Sequence, residues 1–163
     1  MNIRPATESD ISAITAIYND VIATSNAVYR NATVDETERL SWFRQRISDG
    51  FPIIVVEESG QVIAYGLYGP FRAFEGYAHT VEHTIHVDAN HRGRGLGKAL
   101  LTELIELARK DGRHVMVGGI DSENIASIEL HKNFGFSETA RMPEIAKKNG
   151  QLLTLVLMQK ILN

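Results

Sequence analysis

Hydrophobic residues recur every three or four positions in three segments of the chain, which is the spacing of an amphipathic helix. The first helix is predicted after the capping-box pattern of Thr7–Asp10, and the second from Asp35, with Gly50 after it. The third and most regular is predicted over Leu96–Lys110, and Gly112 ends it. The apolar positions of the three helices are Ile11, Ile14, Ile17, Val21, Ile22, Leu40, Phe43, Ile47, Leu100, Leu101, Leu104, Ile105 and Ala108.

Shorter apolar runs between and after these helices predict strands. Ser59-Gly60 between two of the runs indicates a hairpin turn. A further short helix, capped by Asp121 or Ser122, is predicted to end at His131. The predicted strands are a short one at Ile3, then Pro52–Glu57, Gln61–Tyr68, Thr80–Val87, Val115–Ile120, one that starts at Phe136, and Leu152–Met158. Strands that alternate with helices predict a three-layer α/β or α+β fold.

Composition narrows the class of protein. The 163 residues suit one domain, and the net charge of -3 gives no basic field for nucleic acid or an anionic membrane. The chain has no cysteine, which excludes disulfides, thiolate metal sites and a cysteine nucleophile. No run approaches the roughly 20 apolar residues of a membrane span, and the start of the chain does not resemble a signal peptide. We therefore expect a cytoplasmic protein.

The segment Arg92-Gly93-Arg94-Gly95-Leu96-Gly97-Lys98 lies between a predicted strand and a predicted helix. Phosphates bind at such places, because glycines let the backbone approach the phosphate closely and the first N–H groups of a helix lack hydrogen-bond partners. The three basic side chains add positive charge. The alternative is a plain glycine turn with solvated basic residues.

Two common nucleotide-binding loops do not fit this segment. A Walker A loop needs Gly at the place of Arg92 and Ser or Thr at the place of Ala99. A dinucleotide fingerprint needs the spacing G-x-G-x-x-G near the start of a βαβ unit, whereas the glycines here alternate past the middle of the chain.

Two motifs, in chain order, resemble signatures of the GCN5-related N-acetyltransferases (GNAT). The first is Arg92-x-x-Gly95-x-Gly97, and the second is Asn124-x-x-Ser127-x-x-Leu130-His131-x-x-x-Gly135-Phe136. The runs Gly69–Arg72 and Thr80–Thr84 are similar to the phosphinothricin and methionine sulfoximine acetyltransferase branch. The resemblance implies one domain over residues 1–163, with an α/β/α fold and a mixed, mostly antiparallel sheet splayed between its fourth and fifth strands. It also implies acetyl-CoA as donor, the α-amine of a small amino-acid-like acceptor, and a homodimer.

Amine acetylation needs a base that takes a proton from the amine, a hydrogen-bond donor that stabilises the oxyanion, and a proton for the leaving thiolate. The resemblance places the base at Glu82, acting through water, and the general acid at His131. A backbone N–H within Ile85–Val87 would stabilise the oxyanion. From the residues alone, Glu82 could instead be a polar residue on the other face of its strand, and His131 a helix-end histidine packed beside Phe134 and Phe136.

The donor site implied by the resemblance lies at the end of one strand, in the glycine-rich turn and on the last helix. Pantetheine would lie along the strand like an added strand, with Asn124 bonded to it. The alternative role for Asn124 is to satisfy local backbone groups at a helix start. The predicted donor contacts are Ile85, His86, Val87, Arg92, Gly93, Arg94, Gly95, Leu96, Gly97, Lys98, Asn124 and, more weakly, Asn133.

The acceptor is expected beside the loop that precedes Thr80–Val87. Arg72 can bind a carboxylate or phosphinate with two hydrogen bonds, unless it is an ordinary solvated arginine. The phosphinothricin branch has a second basic residue where this chain has Phe74, which favours a less charged acceptor such as methionine sulfoximine or sulfone. The predicted acceptor contacts are Tyr29, Arg72, Phe74, Glu75, Glu82 and His83.

Other functions remain open at this point. One alternative acceptor is a protein N-terminus or a polyamine, although Arg72 disfavours a polyamine. Another possibility is an acyl-CoA-binding sensor that does not turn over. A metal site is not predicted, because His83 and His86 face opposite sides of a strand.

Overall fold

The segments predicted from the sequence correspond to four helices and seven strands in the computed structural model, which describes residues 1–163. The helices are α1 (Ile11–Thr24), α2 (Glu36–Ser48), α3 (Leu96–Lys110) and α4 (Ile125–Asn133). The strands are β1 (Asn2–Pro5), β2 (Ile53–Glu58), β3 (Gln61–Pro70), β4 (Thr80–Val87), β5 (Val115–Asp121), β6 (Ser137–Lys148) and β7 (Gln151–Ile161). None of the helices is both long and apolar enough to cross a membrane.

One sheet contains all seven strands in the order β1-β2-β3-β4-β5-β7-β6. Every neighbouring pair is antiparallel except β4 and β5, which run parallel. Helices α1 and α2 cover one face and α3 and α4 the other, so the predicted three-layer architecture with a mixed, mostly antiparallel sheet is confirmed.

Alternation along β2 shows why both faces of the sheet are covered. Ile53 and Val55 pack in the cluster that contains α1 and Phe43 of α2, whereas Ile54 and Val56 pack against α3. On α3 the buried face is Leu100, Leu101, Leu104, Ile105 and Ala108. Burying one such leucine contributes about 1.5–3 kcal/mol, so this helix is fixed firmly on the sheet.

Strands β4 and β5 separate part-way along their length. They pair only from Thr80 with Val115 to His83 with Gly118. Beyond His83, β4 stays paired with β3 as far as Val87, while β5 stays paired with β7. The result is the splay that was predicted between the fourth and fifth strands, and one edge of each strand has no strand partner there.

The short last helix begins later than predicted. Neither Asp121 nor Ser122 caps it; the N-cap is Asn124, whose Oδ1 accepts a hydrogen bond from the Ser127 N–H at 3.2 Å. Asp121 instead ends β5, where its Oδ1 accepts a hydrogen bond from the hydroxyl of Tyr29 and its Oδ2 accepts one from the Glu123 N–H at 3.2 Å, before the helix begins. The strand predicted from Phe136 begins one residue later, because Phe136 is buried in the core beside His131.

Candidate active site

A cavity of about 370 Å³ opens where β4 and β5 separate. Its walls come from β4, β5, α4, α1 and the segment that follows α1. The structure brings together six of the predicted site residues there: Glu82, His83, Ile85, His86, Asn124 and His131. It adds residues that the sequence did not single out for a site, among them Tyr18, Thr84, Gly118, Gly119 and Asp121.

Glu82 presents a carboxylate with no hydrogen-bond partner in the protein. The side chain is half-buried on β4 and lines the cavity. Burial raises the pKa of the Glu82 carboxyl above its usual range, and the positive charge of Arg72 opposes that shift. A carboxylate in this state is suited to accept a proton from a ligand in the cavity.

His83 and His131 form a buried pair on the opposite face of β4. Their rings stack with centroids 4.9 Å apart, and the two Nε2 atoms are 2.9 Å apart. His131 Nδ1 lies 2.6 Å from the carbonyl oxygen of Ser127, so Nδ1 carries a proton and donates it. In the neutral ring, His131 Nε2 therefore accepts the hydrogen bond that His83 Nε2–H donates.

Both imidazoles of this pair are neutral near pH 7. Burial lowers the pKa of His83 to about 3, and burial also lowers the pKa of His131, against the opposing effect of its bond to Ser127. Both ring nitrogens of His131 are engaged within the protein. The predicted general-acid role of His131 thus requires its contact with His83 to open.

Two adjacent glycines of β5 provide the space for these side chains. A Cβ at Gly118 would lie 3.0 Å from His83 Nε2 and 3.1 Å from His131 Nε2. A Cβ at Gly119 would lie 3.0 Å from Oε1 of Glu82. Glycine at both positions therefore lets the histidine pair and the candidate base approach β5 closely.

A buried carboxylate and a tyrosine lie at the end of β5. Asp121 is buried, and its Oδ1 accepts a hydrogen bond from the hydroxyl of Tyr29 at 2.7 Å. Burial and the neighbouring Asp121 both raise the pKa of Tyr29, so the phenol keeps its proton. The predicted acceptor residue Tyr29 thus fixes the segment after α1 against the cavity.

The glycine-rich turn leads directly into α3. Gly93 and Gly95 have φ of 75° and 81°, in the left-handed region that favours glycine, and a Cβ at either would meet no atom within 4 Å. No backbone N–H from Arg94 to Lys98 donates a hydrogen bond within the protein. The turn therefore presents free N–H groups at the positive end of the helix dipole.

The charged side chains of the turn are only partly free. Arg94 forms two hydrogen bonds to Glu58, at 3.0 and 2.8 Å, and Arg92 lies 3.7 Å from Asp20. Lys98 is exposed and has no ion-pair partner in the structure, whereas Leu96 is buried in the core. Leu96 can therefore contact a ligand through its N–H and not through its side chain.

The remaining predicted residues lie outside the cavity wall. Arg72 and Glu75 are exposed, and Phe74 is 74% exposed in the loop before β4. The Arg72 guanidinium lies 5.2 Å from the ring centroid of Phe71. Asn133 is exposed near the far end of α4. His86, by contrast, lines the cavity on the α1 side of the sheet, where burial lowers its pKa to about 4 and its ring packs against Tyr18 and Tyr65.

Comparison with known proteins identifies the family. The profile described as Acetyltransferase (GNAT) family matches residues 14–136, about three quarters of the chain. The chain belongs to the GNAT family.

Relatives of this GNAT chain are similar along almost its whole length. An L-methionine sulfoximine/L-methionine sulfone acetyltransferase of Salmonella typhimurium is 46% identical, with 98% of this chain and 93% of the relative covered. The L-amino acid N-acyltransferase MnaT of Escherichia coli is 45% identical, with 98% and 92% covered. These matches confirm the predicted enzyme class, an N-acyltransferase.

Solved structures superpose closely on the GNAT fold described here. The structure of yncA, a putative acetyltransferase of Salmonella typhimurium with its cofactor acetyl-CoA, has a TM-score of 0.97 at 45% identity, with 100% of this chain and 94% of that chain covered. A ribosomal-protein-alanine N-acetyltransferase of Brucella melitensis has a TM-score of 0.97 at 45% identity, with 99% of each chain covered.

Two features of this GNAT site were not predicted from the sequence. Gly118-Gly119 was included in an apolar strand without a role, although a glycine pair inside a strand is a known sign of close approach. Asp121 was considered only as a helix cap. No local signal indicates its bond to Tyr29, because the two residues are 92 positions apart.

Proposed function

We propose that this chain transfers the acetyl group of acetyl-CoA to the α-amine of a small amino-acid-like molecule, of the methionine sulfoximine or methionine sulfone type. The observation that carries the proposal is Glu82. Its unpartnered, half-buried carboxylate faces a cavity that begins where β4 and β5 separate. The names of the Salmonella typhimurium and Escherichia coli relatives support the acceptor class.

The residues present fit acetyl-CoA as the donor. The free N–H groups from Arg94 to Lys98 suit a pyrophosphate, and the unpaired edge of β4 beyond His83 suits the extended amide chain of pantetheine. Asn124 lines the same cavity, although its Oδ1 also caps α4. Acetyl-CoA supplies an acetyl group activated as a thioester.

The residues around the cavity divide the chemistry between them. Glu82 accepts, through water, the proton that the acceptor amine must lose to attack the thioester carbon. Backbone N–H groups within Ile85–Val87 stabilise the oxyanion that forms when the C–N bond is made. The C–S bond then breaks, and the departing sulfur takes up a proton. His131 remains the candidate donor of that proton, on condition that its contact with His83 opens.

Arg72 and Phe74 are proposed to select the acceptor. The charge of Arg72 partly opposes the rise in the pKa of Glu82 that burial causes, which supports a role for the guanidinium beside the acceptor. It can there receive the carboxylate of an amino acid with two hydrogen bonds. The apolar Phe74 suits a thioether-derived side chain better than the charged phosphinate of phosphinothricin.

A panel of amines with acetyl-CoA, followed by thiol release, tests the proposed function. We expect turnover of methionine sulfoximine and methionine sulfone, with a lower kcat/KM for phosphinothricin. Acetylated product should be detected by mass in equal amount to the thiol released. Absence of turnover with these three compounds and with the common amino acids would reject the proposal.

The ion pair between Arg94 and Glu58 allows a test of the proposed acetyl-CoA-binding half of the site. We expect Glu58→Gln to lower the KM for acetyl-CoA about two- to fivefold, because the variant frees Arg94 for a phosphate and exposed ion pairs are weak. Steady-state kinetics at constant ionic strength measure the effect. Glu106→Gln, which removes a comparable exposed pair with Arg109, is the matched control and should leave that KM unchanged. A KM that is unchanged or raised in Glu58→Gln contradicts the assignment of Arg94.

A second candidate acceptor is a protein N-terminus, favoured by the name of the Brucella melitensis structure. The test compares kcat/KM for two acceptors. One is a peptide with the N-terminal sequence of a ribosomal protein that begins with alanine, and the other is free methionine sulfone. The homodimer and the cytoplasmic location stay predictions. Light scattering of the purified chain tests the first.

A further inference from the structure

The segment Ser25–Tyr29, which follows α1, forms one wall of the cavity. Ala27 and Val28 line it, and Tyr29 is bonded to Asp121. This wall lies on the same side of the sheet as Glu82. Side chains alternate along β4, so Glu82 shares its face with His86, whose ring packs against α1. The segment and the candidate base therefore line the same cavity from the same side of the sheet.

Lys148, the last residue of β6, is hydrogen-bonded to this segment. Its side chain is buried, with 2% of the residue exposed. Nζ donates three hydrogen bonds, to the carbonyl oxygens of Ile22, Ser25 and Val28, at 2.7, 2.6 and 2.9 Å. All three N–H donors of the ammonium are thus used, and no carboxylate lies within ion-pair distance.

The three carbonyls show what the ammonium does. Ile22 belongs to the last turn of α1, where the carbonyl oxygens carry partial negative charge and attract a cation. Ser25 is the C-cap of α1, so bonds to Ile22 and Ser25 alone would be enough to cap the helix. Val28 lies beyond the helix, yet its carbonyl is bonded as well, so the ammonium also fixes the part of the chain that lines the cavity.

A second contact ties the same two regions together. Asn31 Oδ1 accepts a hydrogen bond from the backbone N–H of Asn149 at 3.0 Å, in the turn between β6 and β7. The turn of this hairpin and the segment after α1 are 118 positions apart in sequence. Three hydrogen bonds nevertheless join the end of β6 and its turn to the segment after α1, from Lys148 to Ser25 and Val28 and from Asn149 to Asn31. A fourth joins Lys148 to Ile22 in α1.

We propose that Lys148 is a positioning residue for the acceptor half of the site: its ammonium holds the Ser25–Tyr29 wall at the distance from Glu82 that the acceptor requires. This inference rests on the proposed function. Without the ammonium, three carbonyls lose their donor and turn toward water, and the wall moves with them. A displacement of this kind lowers the fraction of bound acceptor that is aligned for attack. The side chain of Lys148 forms no hydrogen bond to the predicted donor contacts on β4 and α3.

Steady-state kinetics of Lys148→Met test the proposal, with Lys147→Met as the matched control. Lys147 precedes Lys148 on β6 and is exposed, so the control removes the same charge without the three contacts. We expect Lys148→Met to raise the KM for the acceptor at least about tenfold, with the KM for acetyl-CoA changed less than about twofold. Lys147→Met should match the wild type in both. An unchanged acceptor KM, or an equal rise in both KM values, would overturn the positioning role.

A readout that needs no acceptor keeps this test separate from the proposed function. Hydrogen exchange of the backbone amides in residues 25–31 should be at least about tenfold faster in Lys148→Met than in Lys147→Met. Unchanged exchange overturns the inference even if the enzyme is active. If wild type acetylates no amine of the panel, the proposed function fails while the exchange result still decides the role of Lys148.

The weaker contact gives a variant that keeps the buried ammonium. If Lys148→Met does not fold, Asn31→Ala decides the matter, because it removes only the bond to Asn149. We expect it to raise the acceptor KM in the same direction by about two- to fivefold, with the acetyl-CoA KM unchanged. An acceptor KM equal to that of the wild type would overturn the proposal.

Discussion

Glu82→Gln is expected to lower kcat/KM for the acceptor amine by about 100- to 10,000-fold, the range typical for the loss of a general base. The amide keeps the size of the carboxylate but cannot accept the proton of the amine. The wild-type carboxylate has no hydrogen-bond partner in the protein, so the substitution breaks no internal bond. We therefore expect the melting temperature to be preserved while activity is lost. Glu129→Gln, on the exposed side of α4, is the control.

The dependence of kcat/KM on pH provides an independent check of the base. Glu82 must be deprotonated to accept a proton, and burial raises its pKa. In the wild type, kcat/KM should therefore rise as the pH rises through that raised pKa, before the separate rise due to deprotonation of the acceptor amine. The lower step should be missing in Glu82→Gln. A variant with activity within about tenfold of the wild type, or with the lower step retained, would show that another group is the base.

Gly118→Ala is expected to cost about 1–3 kcal/mol of stability, the usual range for overpacking. The added Cβ would lie 3.0 Å from His83 Nε2 and 3.1 Å from His131 Nε2. Both rings are buried and hydrogen-bonded to each other, so neither can give way without disturbing that pair. For a chain of this size, that free energy corresponds to a fall in Tm of about 2–12 °C. Thermal unfolding followed by circular dichroism measures it.

Gly119→Ala is the matched control, because it adds the same methyl group one position further along β5. Its Cβ would meet Oε1 of Glu82 at 3.0 Å, the far end of a side chain that can rotate away. We expect Tm to change by less than about 2 °C and kcat/KM to fall, since the base is displaced. Equal losses of Tm in the two variants would contradict the assignment of separate roles to the two glycines.

Much of the fold could be predicted from the sequence because its strongest signals are local. The bounds predicted for α3 and β4, Leu96–Lys110 and Thr80–Val87, agree with the structure. In both elements the apolar period is regular, and in α3 the packing of the buried face follows the period directly. The splay of the sheet is different, because it came from resemblance to the GNAT family. No pattern in β5 reveals that its pairing with β4 stops at Gly118.

The parts of the site that escaped prediction depend on contacts between distant residues. His83 and His131 are 48 positions apart in sequence, yet their side chains are hydrogen-bonded. Because of that bond, Nε2 of His131 is occupied by a neutral imidazole and is not free to act as a general acid. Lys148 appeared in the sequence as one of two adjacent lysines, with nothing to distinguish it from Lys147. Only the three-dimensional structure shows that one is buried on carbonyls and the other is exposed.

The separation of β4 from β5 also bears on how long the folded protein survives. The sheet consists of two hydrogen-bonded halves, β1–β4 and β5–β7, joined by only four residue pairs. A ligand in the gap contacts both halves and requires both to be folded. At one hundred times its Kd, such a ligand adds about 2.7 kcal/mol to the free energy of unfolding. If acetyl-CoA binds in this gap as proposed, we expect the resistance of the chain to proteolysis to rise with the concentration of acetyl-CoA.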